Sequence, residues 1–289
     1  MTTPMSATMY DDRICELGEG PLWHPERAAL FWFDIMGKRL HCRGADGTEV
    51  WQFDAHASAA GWVDHDKLLI ASETALTLFD LRDGSRVELI GLEADDPVTR
   101  SNDGRADPMG GFWIGTMGKQ AQPGAGAIYR YFGGELRKLH SGITIPNAIC
   151  FSADGRTAYF ADTTTHRIMR QALDTSGWPS DAPQVHIDLT GEGLNPDGAV
   201  VDAEGCLWNA QWGASRIARY TPDGSFLSEH PVPARQPSCP AFGGEGASTL
   251  FATTATEDLS DPRAGEGCVF KVATGVNGRF EPRVVLEKA

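Results

Sequence analysis

Basic residues are the scarce charge in this chain: 25 lysines and arginines stand against 39 aspartates and glutamates, a formal net charge of −14 over 289 residues. A surface of that sign repels nucleic-acid phosphates and anionic lipid headgroups, so neither nucleic acid nor a membrane is expected as a partner. No apolar run approaches the roughly 18 residues needed to span a bilayer, and the first ten residues lack a basic segment followed by an apolar one. The expectation is a soluble, cytoplasmic protein. The six cysteines, at 15, 42, 150, 206, 239 and 268, form no Cys-x-x-Cys pair. Several sit among apolar neighbours, as Cys150 does between Ile149 and Phe151, and they read as buried free thiols. The eight histidines give no His-x-His or His-Glu-x-x-His spacing, and there is neither a Gly-x-Ser-x-Gly elbow nor a glycine-rich phosphate loop. Helical periodicity is missing too: no stretch keeps apolar residues at helical spacing for three turns between caps.

What is abundant points to strands and tight turns: 33 glycines, 17 prolines, eight tryptophans and 13 phenylalanines. A turn followed by an apolar strand occurs six times, beginning at His24, Asp64, Asp107, Ser152, Asp202 and Gly243, about 40 to 50 residues apart. Each copy has room for a second hairpin, such as Arg39–Arg43, Ala45-Asp-Gly, then Glu49–Phe53. That period predicts an all-β, six-bladed β-propeller with four antiparallel strands per blade, residues 1–289 forming a single domain. Two segments, Met9–Cys15 and Arg283–Leu286, are candidates for the strand that closes the ring. Trp32, Trp113 and Trp208 recur at equivalent positions and read as packing between blades rather than as ligand platforms.

Comparison of the copies locates a site. Five residues before the turn stand Glu19, Asn102, Asn147 and Asp197 in blades 1, 3, 4 and 5, all oxygen donors, whereas blades 2 and 6 carry Ala59 and Ser238. Equivalent positions of a propeller face one axis, so four oxygens converging there read as a cation site. Two carboxylates match a divalent ion, and an all-oxygen set favours calcium, magnesium or manganese, with zinc and iron(II) also open. Arg100 lies two residues from Asn102, on the same face of an extended strand, and fits an oxygen-rich substrate beside the ion. Asp103 is expected to orient Arg100 or Arg105.

The blocks Leu17-Gly-Glu-Gly-Pro-Leu-Trp, Arg100-Ser-Asn-Asp-Gly-Arg-Ala-Asp-Pro through Gly115-Thr-Met, and Asn195-Pro-Asp-Gly-Ala-Val-Val resemble those of the gluconolactonase, regucalcin and senescence-marker-protein family, as does Ser238-Cys-Pro-Ala-Phe-Gly-Gly. The resemblance spans nearly the whole chain. It implies hydrolysis of a small-molecule sugar lactone with one divalent ion; apart from the resemblance, no extra helix, coiled coil or low-complexity tail suggests a protein partner. The resemblance implies Glu19, Asn147 and Asp197 as metal ligands, Asp197 as acid and base, and Arg100 and Asn102 as substrate contacts, Asn102 lying near the ion and not needing to be a direct ligand. One departure stands out: where animal members carry a glutamate shortly after Gly-Thr-Met, this chain has Gln120 in a shorter loop, so Gln120 is a substrate-contact candidate of altered character. A metal-dependent esterase or phosphotriesterase and a non-catalytic calcium-binding propeller are the alternatives on the same fold.

Overall fold

The computed structural model describes residues 7–286. Its 24 strands form six four-stranded sheets. Blade 1 runs through Gly18–His24, Ala29–Asp34, Arg39–Gly44 and Gly47–Gln52, and blade 2 through Ala57–Asp64, Lys67–Ser72, Ala75–Asp80 and Arg86–Gly91. Blade 3 comprises Thr99–Ala106, Phe112–Gly118, Gly126–Phe132 and Glu135–Ile143; blade 4, Pro146–Phe151, Thr157–Asp162, Arg167–Ala172 and Gln184–Asp188. Blade 5 is built of Asn195–Val201, Leu207–Trp212, Arg216–Tyr220 and Phe226–Pro231. All pairings are antiparallel, as the repeated hairpins predict.

Blade 6 settles the closure. Pro237–Gly243, Thr249–Thr254 and Val269–Ala273 supply three strands, and Thr8–Asp11 adds the fourth by pairing with Val269–Ala273. The amino-terminal candidate therefore closes the ring. The other candidate, around 283–286, instead packs across the turns: Val284 and Val285 donate their N–H groups to the Trp62 and Gly110 carbonyls, and Trp62 Nε1 donates to the Glu281 carbonyl. Further back, Gly278 N–H bonds the Ala247 carbonyl and Ala203 N–H the Asn277 carbonyl. Residues 277–286 thus cross the turn ends of blades 6, 5, 3 and 2, and Glu281 pairs with Arg105 of blade 3.

Burial falls from the axis outward, which explains the composition of each strand. The innermost strand of blade 1 is buried at every residue, whereas its outermost strand, Gly47–Gln52, is almost wholly exposed. Trp32, Trp113 and Trp208 on the second strands are fully buried. All six cysteines are free and buried. A repeated polar device fixes the turns of blades 3 and 5. Asp107 Oδ1 accepts the N–H groups of Met109 and Gly111 while Oδ2 takes Arg130 Nε at 2.6 Å; Asp202 does the same with Glu204, Cys206 and Arg219. Arg130 and Asp107 are both fully buried, a pair that removal of either partner would leave as an uncompensated charge.

Candidate active site

In every blade the pairing of the first two strands slips near the positions singled out in the sequence. The register shifts between Glu19 and Leu22, Ala57 and Ala59, Ser101 and Gly104, Asn147 and Cys150, Pro196 and Ala199, and Pro237 and Pro240. A bulge breaks the strand's strict alternation and re-aims the side chain at that point. The backbone after two of the candidates is left-handed: Gly20 has φ 53° and Ala148 φ 56°. At Gly20 a Cβ would lie 2.2 Å from the Ser58 carbonyl oxygen, so glycine is required there.

Glu19, Asn102, Asn147 and Asp197 line a single cavity of about 370 Å³, together with Arg100 and Gln120. Glu19, Asn102, Asn147, Asp197 and Arg100 are buried, and Gln120 is exposed at the mouth. The amides are tightly placed. Arg100 Nη1 donates to Asn102 Oδ1 at 2.9 Å, and Asn102 Nδ2 donates to Asn147 Oδ1 at 3.1 Å and to the Pro146 carbonyl at 3.0 Å. Asn147 Nδ2 donates to Thr163 Oγ1 at 2.8 Å, and that hydroxyl donates to the Pro196 carbonyl at 2.7 Å. The chain of bonds turns the oxygen of Asn102 toward Arg100, while Asn147 Oδ1 keeps a lone pair for a cation.

The other two blades behave differently from the count. In blade 2 a second slip, between Trp62 and Asp64, makes Ser58 rather than Ala59 the polar neighbour: Ser58 Oγ donates to the Asn102 carbonyl at 2.6 Å. In blade 6 Ser238 Oγ donates to the Gly18 carbonyl, beside Glu19. Both serines brace the ring instead of lining the cavity.

Asp103 requires a correction. Its Oδ2 accepts the Ile149 N–H at 2.7 Å, and Arg105, two residues on, donates Nε to the Ile149 carbonyl at 2.9 Å. Asp103 therefore joins the inner strand of blade 3 to that of blade 4 and hydrogen-bonds neither Arg100 nor Arg105. Both residues lie within the bulge, where Asp103 faces the neighbouring blade and Asn102 the cavity.

Burial acts strongly on the two ring carboxylates. Burial, then the negative charge of Asp103, pushes the Glu19 carboxyl well above its usual range; burial and Glu19 do the same to Asp197. Among the described residues no lysine, arginine or histidine forms an ion pair with either. Two buried carboxylates with no ion-pair partner, beside an amide oxygen, make an all-oxygen donor set that fits a hard divalent ion. Burial lowers the pKa of Arg100, which Glu257 and Glu19 partly restore.

Several cavity residues escaped the sequence reading. Glu257 and Asp258 form part of the wall from a loop of blade 6, Trp212 and Ile145 supply apolar surface, and Lys119 stands beside Gln120. Thr163 positions Asn147. None of them lies at the repeated register, so no spacing signal reports them.

Residues 17–256 match the model of the SMP-30/gluconolactonase/LRE-like region. The chain belongs to that family. An L-arabinolactonase of Azospirillum brasilense is 38% identical, the match covering 88% of this chain and 86% of the relative. A 6-deoxy-6-sulfogluconolactonase of Pseudomonas putida is 33% identical over 92% of this chain and 94% of its own. Among solved structures, a calcium-binding protein, regucalcin, from Agrobacterium tumefaciens superposes with a TM-score of 0.95 at 41% identity, covering 98% of both chains.

Proposed function

We propose that this chain is a divalent-metal-dependent hydrolase that opens a sugar lactone to its aldonic acid. The observation that carries the reading is the placing of Glu19 and Asp197, buried carboxylates with no ion pair among the described residues, in one cavity with Arg100, Asn102 and Asn147. Relatives named as lactonases of arabinose and sulfogluconic sugars support the substrate class. Glu19, Asn147 and Asp197 are the residues that would hold the ion. When bound, such an ion polarises an ester carbonyl and favours negative charge on its oxygen.

The chain's own groups do the rest. Arg100 offers charged donors to sugar hydroxyls and to the carbonyl side, in a position fixed by its bond to Asn102. Asp197 takes a proton from the attacking water and returns it to the ring oxygen as the ester bond breaks. Trp212 and Ile145 give the sugar an apolar wall. A non-catalytic calcium-binding propeller would account for the carboxylates but leaves the buried Arg100, free of any ion pair among the described residues, without a role.

Acid release from glucono-, galactono-, xylono- and arabinono-lactones, measured with metal-stripped and singly refilled protein, tests the reading. Turnover is expected only with metal, and Asp197→Asn is expected to lower kcat by at least about 10²-fold while circular dichroism stays unchanged. Folded, metal-loaded protein that turns over none of these lactones would refute it.

A further inference from the structure

We propose a second, structural metal site at the seam where the ring closes, formed by Cys15 Sγ, a carboxylate oxygen of Asp34 and a ring nitrogen of His41, taking zinc or another borderline divalent ion. These three donor atoms all lie within 4.8 Å of one another, and the three residues are 0%, 3% and 4% exposed, so solvent hardly reaches them. A thiol, a carboxylate and an imidazole are the donor types that borderline ions select. The site is independent of the cavity described above.

His41 supplies the observation that a well-packed core would not. Both of its ring nitrogens are buried and neither has a hydrogen-bond partner. Burying an imidazole in that state is unfavourable, and a metal bond removes the penalty at one nitrogen. The ring is held in place by Trp32, stacked on it at 5.3 Å with 15° between the planes. Asp34 commits Oδ1 to the N–H groups of Leu17 and Gly37, which fixes the carboxylate and leaves the second oxygen to ligate. The nearby cation, Arg13, has its charge offset by Asp11, with Nε 2.8 Å from Oδ1.

Position gives the site its purpose. Cys15 lies between the closing strand Thr8–Asp11 and the first strand of blade 1, and its N–H bonds the Gly267 carbonyl of blade 6. Asp34 ends the second strand of blade 1 and His41 lies on the third. One ion would bind the closing segment to two strands of the next blade. Three protein donors fall one short of a closed tetrahedral set; the Arg13 carbonyl, 4.0 Å from Cys15 Sγ, or a water completes it. On binding, the thiol proton leaves to solvent as the metal–sulfur bond forms.

Cobalt separates this site from the cavity, because a thiolate ligand gives cobalt(II) an intense near-ultraviolet charge-transfer absorption and an all-oxygen site does not. Chain produced in cobalt-supplemented medium, so that the ion is present during folding, is expected to show that absorption. Cys15→Ser is expected to lose it together with about one equivalent of bound cobalt. Should Cys15→Ser not fold, His41→Gln, which keeps the thiol, is expected to lose the same absorption. Folded wild-type chain with bound cobalt but no thiolate absorption would overturn the proposal, as would an absorption that survives in folded Cys15→Ser.

Discussion

Thr163 touches Asn147 and nothing in the sequence marks it, yet it decides which way that amide faces. Its hydroxyl accepts from Asn147 Nδ2 and donates to the Pro196 carbonyl, so the Asn147 oxygen is the atom left facing Asn102 Nδ2 on the other side, inside the cavity. Outer partners of this kind commonly alter metal affinity by about 10- to 100-fold. Thr163→Val is therefore expected to raise the metal concentration for half-maximal activity by that factor, with kcat at saturating metal little changed. A metal titration indistinguishable from wild type would show that Asn147 needs no such support. Glu19, Asn102, Asn147 and Asp197 were legible because the turn after each one sets a common count. Ser58 was hidden by a second slip in its strand, and Thr163, Glu257 and Trp212 by lying outside the repeated unit. Asp103 misled because sequence proximity to Arg100 and Arg105 does not show which blade a side chain faces.

At the scale of an element, the loop between the second and third strands of blade 6 matters most, since it carries Glu257 and Asp258 into the cavity wall. Glu266 anchors its far end. That carboxylate accepts Arg235 Nε at 2.6 Å and the N–H groups of Arg235 and Arg263, and these bonds pull its pKa from an ordinary 4.5 down to about 2. A depressed carboxylate contributes stability that is present above 4.5 and is lost as pH falls toward 2. Glu266→Gln is thus expected to lower Tm at pH 7 by roughly 2–4 °C, a gap that narrows steadily between pH 4.5 and 2. Calorimetry across that range checks the sign, and a gap that widens in acid would exclude the assignment. Strand composition made the blades themselves readable, because burial decreases from inner to outer strand in the same way in each. The loop, which obeys no repeat, left no such trace.

The whole molecule depends on a closure that the two ends share unequally. Thr8–Asp11 completes blade 6, and Asp11 ties to Arg13 and Arg43 of the adjoining segment and blade. The sequence offered two segments for this role because both are short and partly apolar; only pairing distinguishes them. Removing the chain through Asp11 uncovers the edge of Val269–Ala273, which invites pairing with other molecules. Tm is expected to fall on the order of 10 °C, with light scattering showing aggregation. An unchanged transition would mean that the first strand is dispensable.

That same pairing imposes an order on synthesis. The strand at Thr8–Asp11 leaves the ribosome long before Val269–Ala273, its ladder partner among the described residues. At about 5–20 residues per second it waits roughly 13 to 50 seconds with its backbone unpaired. Five blades have time to assemble around a vacant berth, and a strand made before all of them is among the last to find its place.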